Sequence, residues 1–186
     1  MYDALFKLVI FGDSNSGKTT LRKSFMTNRF ISNSRQTIGV DFETKILEVE
    51  GLEVKLMIWD FAGEERFRFI FPQYVYGAMG GILMYDITNY SSFSHIYEWL
   101  SVIKETNQTF PIILLGGKSD LDELREIPWE LGMEATRSIG MTEFIECSSK
   151  TGENVQETFE TLARIMLNKM MVTRAEMQGI TVENQI

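Results

Sequence analysis

The run GDSNSGKT at residues 12–19 carries the pattern G-x-x-x-x-G-K-[ST], and its residue types suit one task, the holding of a polyphosphate. Gly12 and Gly17 let the backbone turn tightly, so that successive N–H groups point inward at an anion. Lys18 adds a point charge for the β- and γ-phosphates, and Thr19 offers a hydroxyl to Mg²⁺. The motif follows an apolar run, LFKLVIF (5–11), and precedes a helical pattern in Thr20, Leu21, Ser24 and Phe25. A helix opening near Lys18 aims its positive end at the same anion.

Further segments supply complementary chemistry. Asp60 and Gly63 form a D-x-x-G pattern at the end of an apolar run. The aspartate can hold Mg²⁺ through water, and the glycine N–H can reach a γ-phosphate. Thr37 follows a polar stretch, and its hydroxyl can close the Mg²⁺ shell from the other side. Two more runs end in polar loops, Gly116-Gly117-Lys118-Ser119-Asp120 and Cys147-Ser148-Ser149-Lys150.

Strand and helix signals alternate along the whole chain to position these loops. Two alternating runs, 40–50 and 53–59, joined at Gly51, predict a hairpin. Short apolar runs at 81–85, 111–115 and 143–147 suit parallel strands covered on both faces. Helical periods fall at 92–106, 129–139 and 155–169, the last with Val155, Phe159, Leu162, Ile165 and Met166 on one face. The order predicts an α/β fold of the P-loop NTPase kind, a six-stranded, mostly parallel sheet with one antiparallel edge strand and helices on both faces. Ligands of such sheets lie at the carboxyl ends of the strands, where every motif above falls.

Bulk properties narrow the class. The chain has 186 residues, 44% of them apolar and 24% charged, as expected of one soluble globular domain. Its net charge of −8 opposes binding to bare nucleic acid, so no nucleic-acid partner is expected. The single cysteine, Cys147, leaves no intramolecular disulfide or cysteine metal cluster. Apolar stretches of about seven residues are too short to span a bilayer, and no signal peptide is recognisable near Met1, so a cytoplasmic protein is expected.

Over residues 5–169 the chain resembles the small GTPases of the Ras superfamily, and within them the Rab family. The similarity is carried by Ile38-Gly39-Val40-Asp41-Phe42, Glu65-Arg66-Phe67 after the D-x-x-G, Gly77-Ala78-Met79-Gly80, and Met84-Tyr85-Asp86-Ile87-Thr88. The resemblance implies a GTP/GDP switch with Mg²⁺ as cofactor, in which Phe30 packs on the purine and ribose. It also implies that Thr37 and Gly63 make the two hydrogen bonds that sense the γ-phosphate. Base choice has a physical reading as well. The Asp120 carboxylate can accept from guanine N1–H and N2–H₂ together, which adenine cannot match. Lys118 can lay its stem along the base, and the Ser149 N–H can meet O6.

The candidate catalytic residues are Lys18, Thr37, Gly63 and Glu64, and the metal candidates are Thr19, Thr37 and Asp60. The nucleotide candidates are Asn15, Ser16, Gly17, Lys18, Thr19, Thr20, Phe30, Thr37, Gly63, Lys118, Asp120, Leu121, Ser148, Ser149 and Lys150. Residues 1–169 are expected to form the nucleotide-binding domain, with 170–186 a tail that extends the last helix or is flexible. The Met-rich stretch 166–177 favours helix continuation over a membrane-surface helix, because it is not strongly basic.

The chain departs from the family pattern at several positions. Glu64 stands where the family has the glutamine that orients the attacking water. A charge roughly 5 Å from a γ-phosphate charge costs about 3 kcal/mol at an effective dielectric of 20, so Glu64 is expected to swing outward in the ground state or to act only transiently as an acceptor, and hydrolysis to be slow. Gly117 replaces the asparagine of N-K-x-D, which weakens binding by a factor of roughly ten to a hundred if two hydrogen bonds are lost. On the sequence alone, Gly117→Asn should therefore slow GDP release. Phe61 replaces a threonine, with no role evident from the sequence. No cysteine follows Cys147 and no glycine stands at position 2, so no prenyl or myristoyl anchor is expected on this chain.

Some residues invite a second reading. His95, the only histidine, falls in a helical period and is expected to lie away from the strand ends. Phe42, Trp59 and Tyr74 suit either an aromatic effector patch or core packing. Arg66 and Arg68 suit a solvated or interface position rather than catalysis in cis. Effector, exchange-factor and GTPase-activating partners are expected on segments 29–42 and 61–76, which the γ-phosphate orders and hydrolysis releases. The protein is expected to be a monomer that reaches membranes through its partners. A rival reading stays open at this point, a non-hydrolysing interaction module that keeps the fold and bound nucleotide, favoured by Glu64 and Gly117. A kinase or ATPase is disfavoured by Lys118 and Asp120.

Overall fold

The first apolar run forms β1 (Ala4–Phe11), whose last four residues are all buried, as a strand covered on both faces must be. In this computed structural model residues 2–31, 37–106 and 108–178 are described. Residues 32–36 of segment 29–42, and 179–186 of the tail, lie outside the described residues.

After the phosphate-loop sequence, α1 (Lys18–Thr27) starts directly behind Gly17, whose φ of 106° only glycine adopts without strain. The hairpin of β2 (Val40–Val49) and β3 (Leu52–Phe61) turns at Glu50 and Gly51, with φ of 52° and 78°, the two positive angles a tight hairpin needs. A 3₁₀ turn (Glu65–Ile70) leads into the short α2 (Phe71–Val75). The fully buried β4 (Gly80–Asp86) follows.

The helical period predicted over 92–106 is two helices, α3 (Tyr90–Ser94) and α4 (Ile96–Glu105), joined at His95. Asn89 accounts for the earlier start, since its side chain accepts the Ser92 N–H at 3.2 Å and caps α3. Then come β5 (Ile112–Gly117), a 3₁₀ turn (Ser119–Leu124), α5 (Trp129–Ile139), β6 (Glu143–Cys147) and α6 (Val155–Met177). Helix α6 runs past the 155–169 period to Met177, over the stretch where helix continuation is expected.

Among the described residues six strands lie in the order β2-β3-β1-β4-β5-β6, and only β2 is antiparallel to its neighbour, the single antiparallel edge strand that the sequence pattern predicts. Apolar side chains bury on both faces. One face packs α1 and α6, with Phe25 stacked on Phe159 at 3.8 Å. The other is built on Trp99, Phe71, Phe11 and Tyr85. Cys147 belongs to the first core, and burial pushes its thiol up to about 12, so it is an inert core residue. Among the described residues no helix is long and apolar enough to cross a membrane.

Candidate functional site

Because five strands run parallel, the loops that follow β1, β3, β5 and β6 gather at one edge of the sheet. They border a cleft of about 490 Å³ lined by Asn15, Gly17, Lys18, Thr19, Thr20, Thr37, Gly63, Glu64 and Lys118, among others. That volume lies within the roughly 300–1,000 Å³ of small-molecule sites. The cleft's closeness to the backbone explains Gly63, because a Cβ there would overlap the Asp13 and Ser14 main chain. The Gly63 carbonyl accepts the Ser14 N–H at 3.1 Å and locks D-x-x-G against the phosphate loop.

Lys18 is buried, and desolvation lowers its pKa to about 8 against the opposing pull of Asp60 and Asp13. Its ammonium reaches across its own loop to the Asp13 carbonyl at 2.5 Å. A polyphosphate in the cleft would supply the counter-charge that keeps it protonated. Ser16 is fully buried and its hydroxyl donates to the Asp13 carbonyl at 2.9 Å, so the side chain braces the loop rather than facing the cleft.

The three metal candidates come together. The Thr19 and Thr37 hydroxyls are 2.8 Å apart, and Thr37 Oγ1 lies 3.5 Å from Asp60 Oδ2. Asp60 is fully buried and its Oδ1 has no hydrogen-bond partner, while burial raises the pKa of the carboxyl. An orphaned carboxylate oxygen beside two hydroxyls is a hard, all-oxygen donor set, which fits Mg²⁺.

A feature the sequence reading missed faces Asp60 from behind. Arg22, on the buried side of α1, places Nε 3.4 Å from Asp60 Oδ2 and meets Asp41 at 2.7 Å and Glu43 at 2.5 Å. It ties β2 and the D-x-x-G aspartate to α1. An arginine among the apolar positions of that helix was the available signal.

Two residues after Lys118, and outside the residues that line the cleft, Asp120 is largely buried and its Oδ1 accepts from Ser148 Oγ at 2.6 Å, while Lys150 Nζ lies 3.5 Å from Oδ2. Lys118 adopts φ 68° and pairs with Asp86 at 2.5 Å. Asp86 is the second residue the sequence reading did not assign, and it fixes the lysine at the mouth of the cleft. Leu121, partly exposed, follows in the same turn, its N–H donating to the Lys118 carbonyl at 2.9 Å. Phe30 is half exposed and lines a separate hollow of about 190 Å³ with Ser149 and Lys150.

The model of the Ras family matches residues 7–168 of the chain. Ras-related protein Rab-8B of Homo sapiens is 42% identical over 170 residues, covering 91% of this chain and 82% of that protein. The chain belongs to the Ras family. Rab-15 of Bos taurus is 40% identical over 96% of the chain and 83% of its own length, and RABE1e of Arabidopsis thaliana 39% over 99% and 86%. The protein is thus a Rab-like small GTPase, a GTP phosphohydrolase that binds guanine nucleotide and works with regulators and effectors. The rival reading of a non-hydrolysing module is not favoured.

Several expectations about this Rab-like chain need revision. Glu64 does not swing outward. It lines the cleft, Oε2 pairs with Arg66 Nε, and Oε1 is buried without a partner. Arg66 is exposed as expected, but Arg68 is not a solvated residue. It bonds Glu98 at 2.5 Å, lies 3.4 Å from Asp13 and covers the Trp99 ring. His95 does not lie away from the site, since its Nδ1 is 2.6 Å from Asp13 Oδ2. The Trp99 Nε1–H donates to Asp13 Oδ1 at 2.9 Å. Asp13 is therefore the anchor by which α4 and the segment after β3 hold the phosphate loop from the rear. Contacts over 82 and 86 residues of chain left no local signal.

Phe61 now has a role. It is buried against Phe71 at 4.7 Å and Trp99 at 6.2 Å, packing the end of β3 onto α2 and α4. Phe42, Trp59 and Tyr74 form a continuous aromatic row, 5.3 and 5.8 Å between centroids, with Phe42 55% exposed. The row joins the two readings, since Phe42 is exposed while Trp59 and Tyr74 are half-buried and pack against the core.

Gly117 is also not a simple deletion of the family's asparagine. A Cβ there would overlap the Met84 methyl group and lie 3.1 Å from the Ser16 carbonyl oxygen, so the space is filled.

Proposed function

We propose that this Rab-like GTPase is a Mg²⁺-dependent GTP/GDP switch of slow intrinsic turnover, serving membrane-trafficking-type signalling. The observation that supports it best is the meeting of Thr19, Thr37 and Asp60, with an orphaned Asp60 oxygen, beside the buried Lys18. In this reading Thr19, Thr37 and Asp60 would hold Mg²⁺, which would screen the phosphate charges. Lys18 stabilises charge on the β- and γ-phosphates, and Thr37 and Gly63 sense the γ-phosphate. Asn15, Ser16, Gly17 and Thr20 wrap the phosphates, Asp120 reads guanine with Lys118, Leu121, Ser148, Ser149 and Lys150 around it, and Phe30 covers the ribose side. Effectors, exchange factors and activating proteins then bind segments 29–42 and 61–76, where the aromatic row lies. Residues 1–169 act as the nucleotide domain and 170–186 as its tail. The protein works as a cytoplasmic monomer that reaches membranes through partners.

Single-turnover phosphate release from bound GTP tests the reading. Glu64 faces the cleft, so its charge opposes the γ-phosphate, and glutamine in its place removes that repulsion and adds a donor. With Mg²⁺ and Lys18 offsetting part of the roughly 3 kcal/mol interaction, Glu64→Gln is expected to accelerate release about ten-fold. An unchanged rate would mean that residue 64 turns away during turnover. No phosphate from either protein over many hours would sink the switch itself.

A further inference from the structure

We infer that Met84 and Gly117 are a matched pair in which an apolar plug replaces the hydrogen-bonded tie between the base loop and the phosphate loop, making Met84 the positioning residue that sets the rate of nucleotide release. The inference rests on the guanine-nucleotide reading of the cleft.

Met84 is buried in the middle of the sheet, on β4 opposite Leu115 of β5. Its backbone is the surface against which Gly12 packs, since a Cβ on Gly12 would approach the Met84 carbonyl carbon to 3.1 Å and its nitrogen to 3.2 Å. Its methyl group would touch a Cβ on Gly17 at 3.1 Å and overlap one on Gly117. One side chain thus reaches both glycines of the phosphate loop and the glycine that opens the base loop.

Gly117 has no positive φ that would demand glycine. What a side chain there would meet first is the methyl end of Met84, which would have to shift to admit it. The first atom of such a side chain would stand 3.1 Å from the Ser16 carbonyl and 3.3 Å from that of Tyr85, the acceptors an asparagine amide would need close by. The methyl of Met84 fills that volume but donates nothing. Dispersion contacts are individually weak and carry no direction, whereas hydrogen bonds across a buried gap hold two loops at fixed distance. The pair keeps the gap packed while loosening the tie, and nucleotide leaves faster.

This reverses the expectation from sequence for the single substitution. Four proteins loaded with fluorescent GDP in Mg²⁺ test it: wild type, Gly117→Asn, Met84→Val and the double variant. Gly117→Asn alone is expected to release GDP no more slowly than wild type, because Met84 blocks the seat of the amide. Met84→Val alone is expected to release GDP about three-fold faster, as the plug is lost. The double variant is expected to release GDP about ten-fold or more slowly than wild type, since the amide now fits. Such non-additivity in release is not produced by a merely structural role.

Met84→Leu, close in volume but shorter in reach, gives the same cycle should the valine variants fold poorly. A single Gly117→Asn that slows release as much as the double variant overturns the proposal. So does a double variant no slower than wild type. Anion-exchange analysis of nucleotide released from the denatured wild type separates this from the site reading: guanine nucleotide present with the cycle failing sinks only the pairing, and its absence sinks both.

Discussion

Asp120→Asn is expected to exchange the base preference of the protein from guanine to xanthine. Ser148 Oγ donates to Asp120 Oδ1 at 2.6 Å, so an asparagine in this seat keeps its oxygen there and turns its amide nitrogen to where Oδ2 now stands. On the proposed reading of the site, the edge that would accept from guanine N1–H and N2–H₂ becomes a donor. Two hydrogen bonds to a charged group are worth about 1.5–3 kcal/mol each, so affinity for GTP falls about 100-fold or more. Xanthosine triphosphate carries a carbonyl at C2 and gains the new donor. Competition of both triphosphates against fluorescent GDP measures the exchange, with far-UV circular dichroism as a control for folding. A variant that still prefers GTP would place base recognition elsewhere, and Ser148→Ala should blur the preference because nothing then orients the amide.

Arg22→Met is expected to destabilise the folded protein by about 3 kcal/mol, the low end for breaking a buried ion pair by removing one partner. The low end applies because the contact is long, 3.4 Å to Asp60, and because Asp41 and Glu43 are exposed enough to take up water. Asp60 is not, for it is fully buried and loses its ion pair with the guanidinium. Chemical denaturation of the GDP-bound proteins gives the midpoint, and the loss should be larger in chelator than in Mg²⁺, since a bound cation takes over part of the guanidinium's work. The Asp60→Asn exchange in the Arg22→Met background should recover stability in chelator. A loss below about 0.5 kcal/mol, in the range of a surface substitution, would show that Asp60 relies on Thr19 and Lys18 instead.

Much of the site was legible because its chemistry is local. The phosphate loop needs glycines at two positions, a lysine and a hydroxyl in one turn, and the strand before it and helix after it are written in the adjacent residues. Asp60 to Gly63, Lys118 to Asp120 and Ser148 to Lys150 are likewise short runs at strand ends. A parallel sheet delivers strand ends to one edge whatever the details of packing. The hairpin, the antiparallel edge and the extent of α5 follow from periodicity and turn residues in the same way.

What tertiary structure alone decided is which side chains meet across long stretches of chain. Asp13 stands in the phosphate loop, yet its partners His95, Trp99 and Arg68 arrive from α4 and the turn after β3, and no spacing rule relates them. Arg22 reads as an odd charge beside Phe25 and Met26 on one face of α1 until β2 and β3 close over it. Glu64 looked bound to avoid the phosphates, but Arg66 neutralises one oxygen and holds the other inside the cleft. Gly117 looked like a missing asparagine because the sequence records the lost amide and not the methyl that fills its place. Local propensity and motif chemistry act through neighbouring residues, so one chain displays them. Volume and charge are balanced among side chains brought together by folding, and only the packed molecule shows which of them balance.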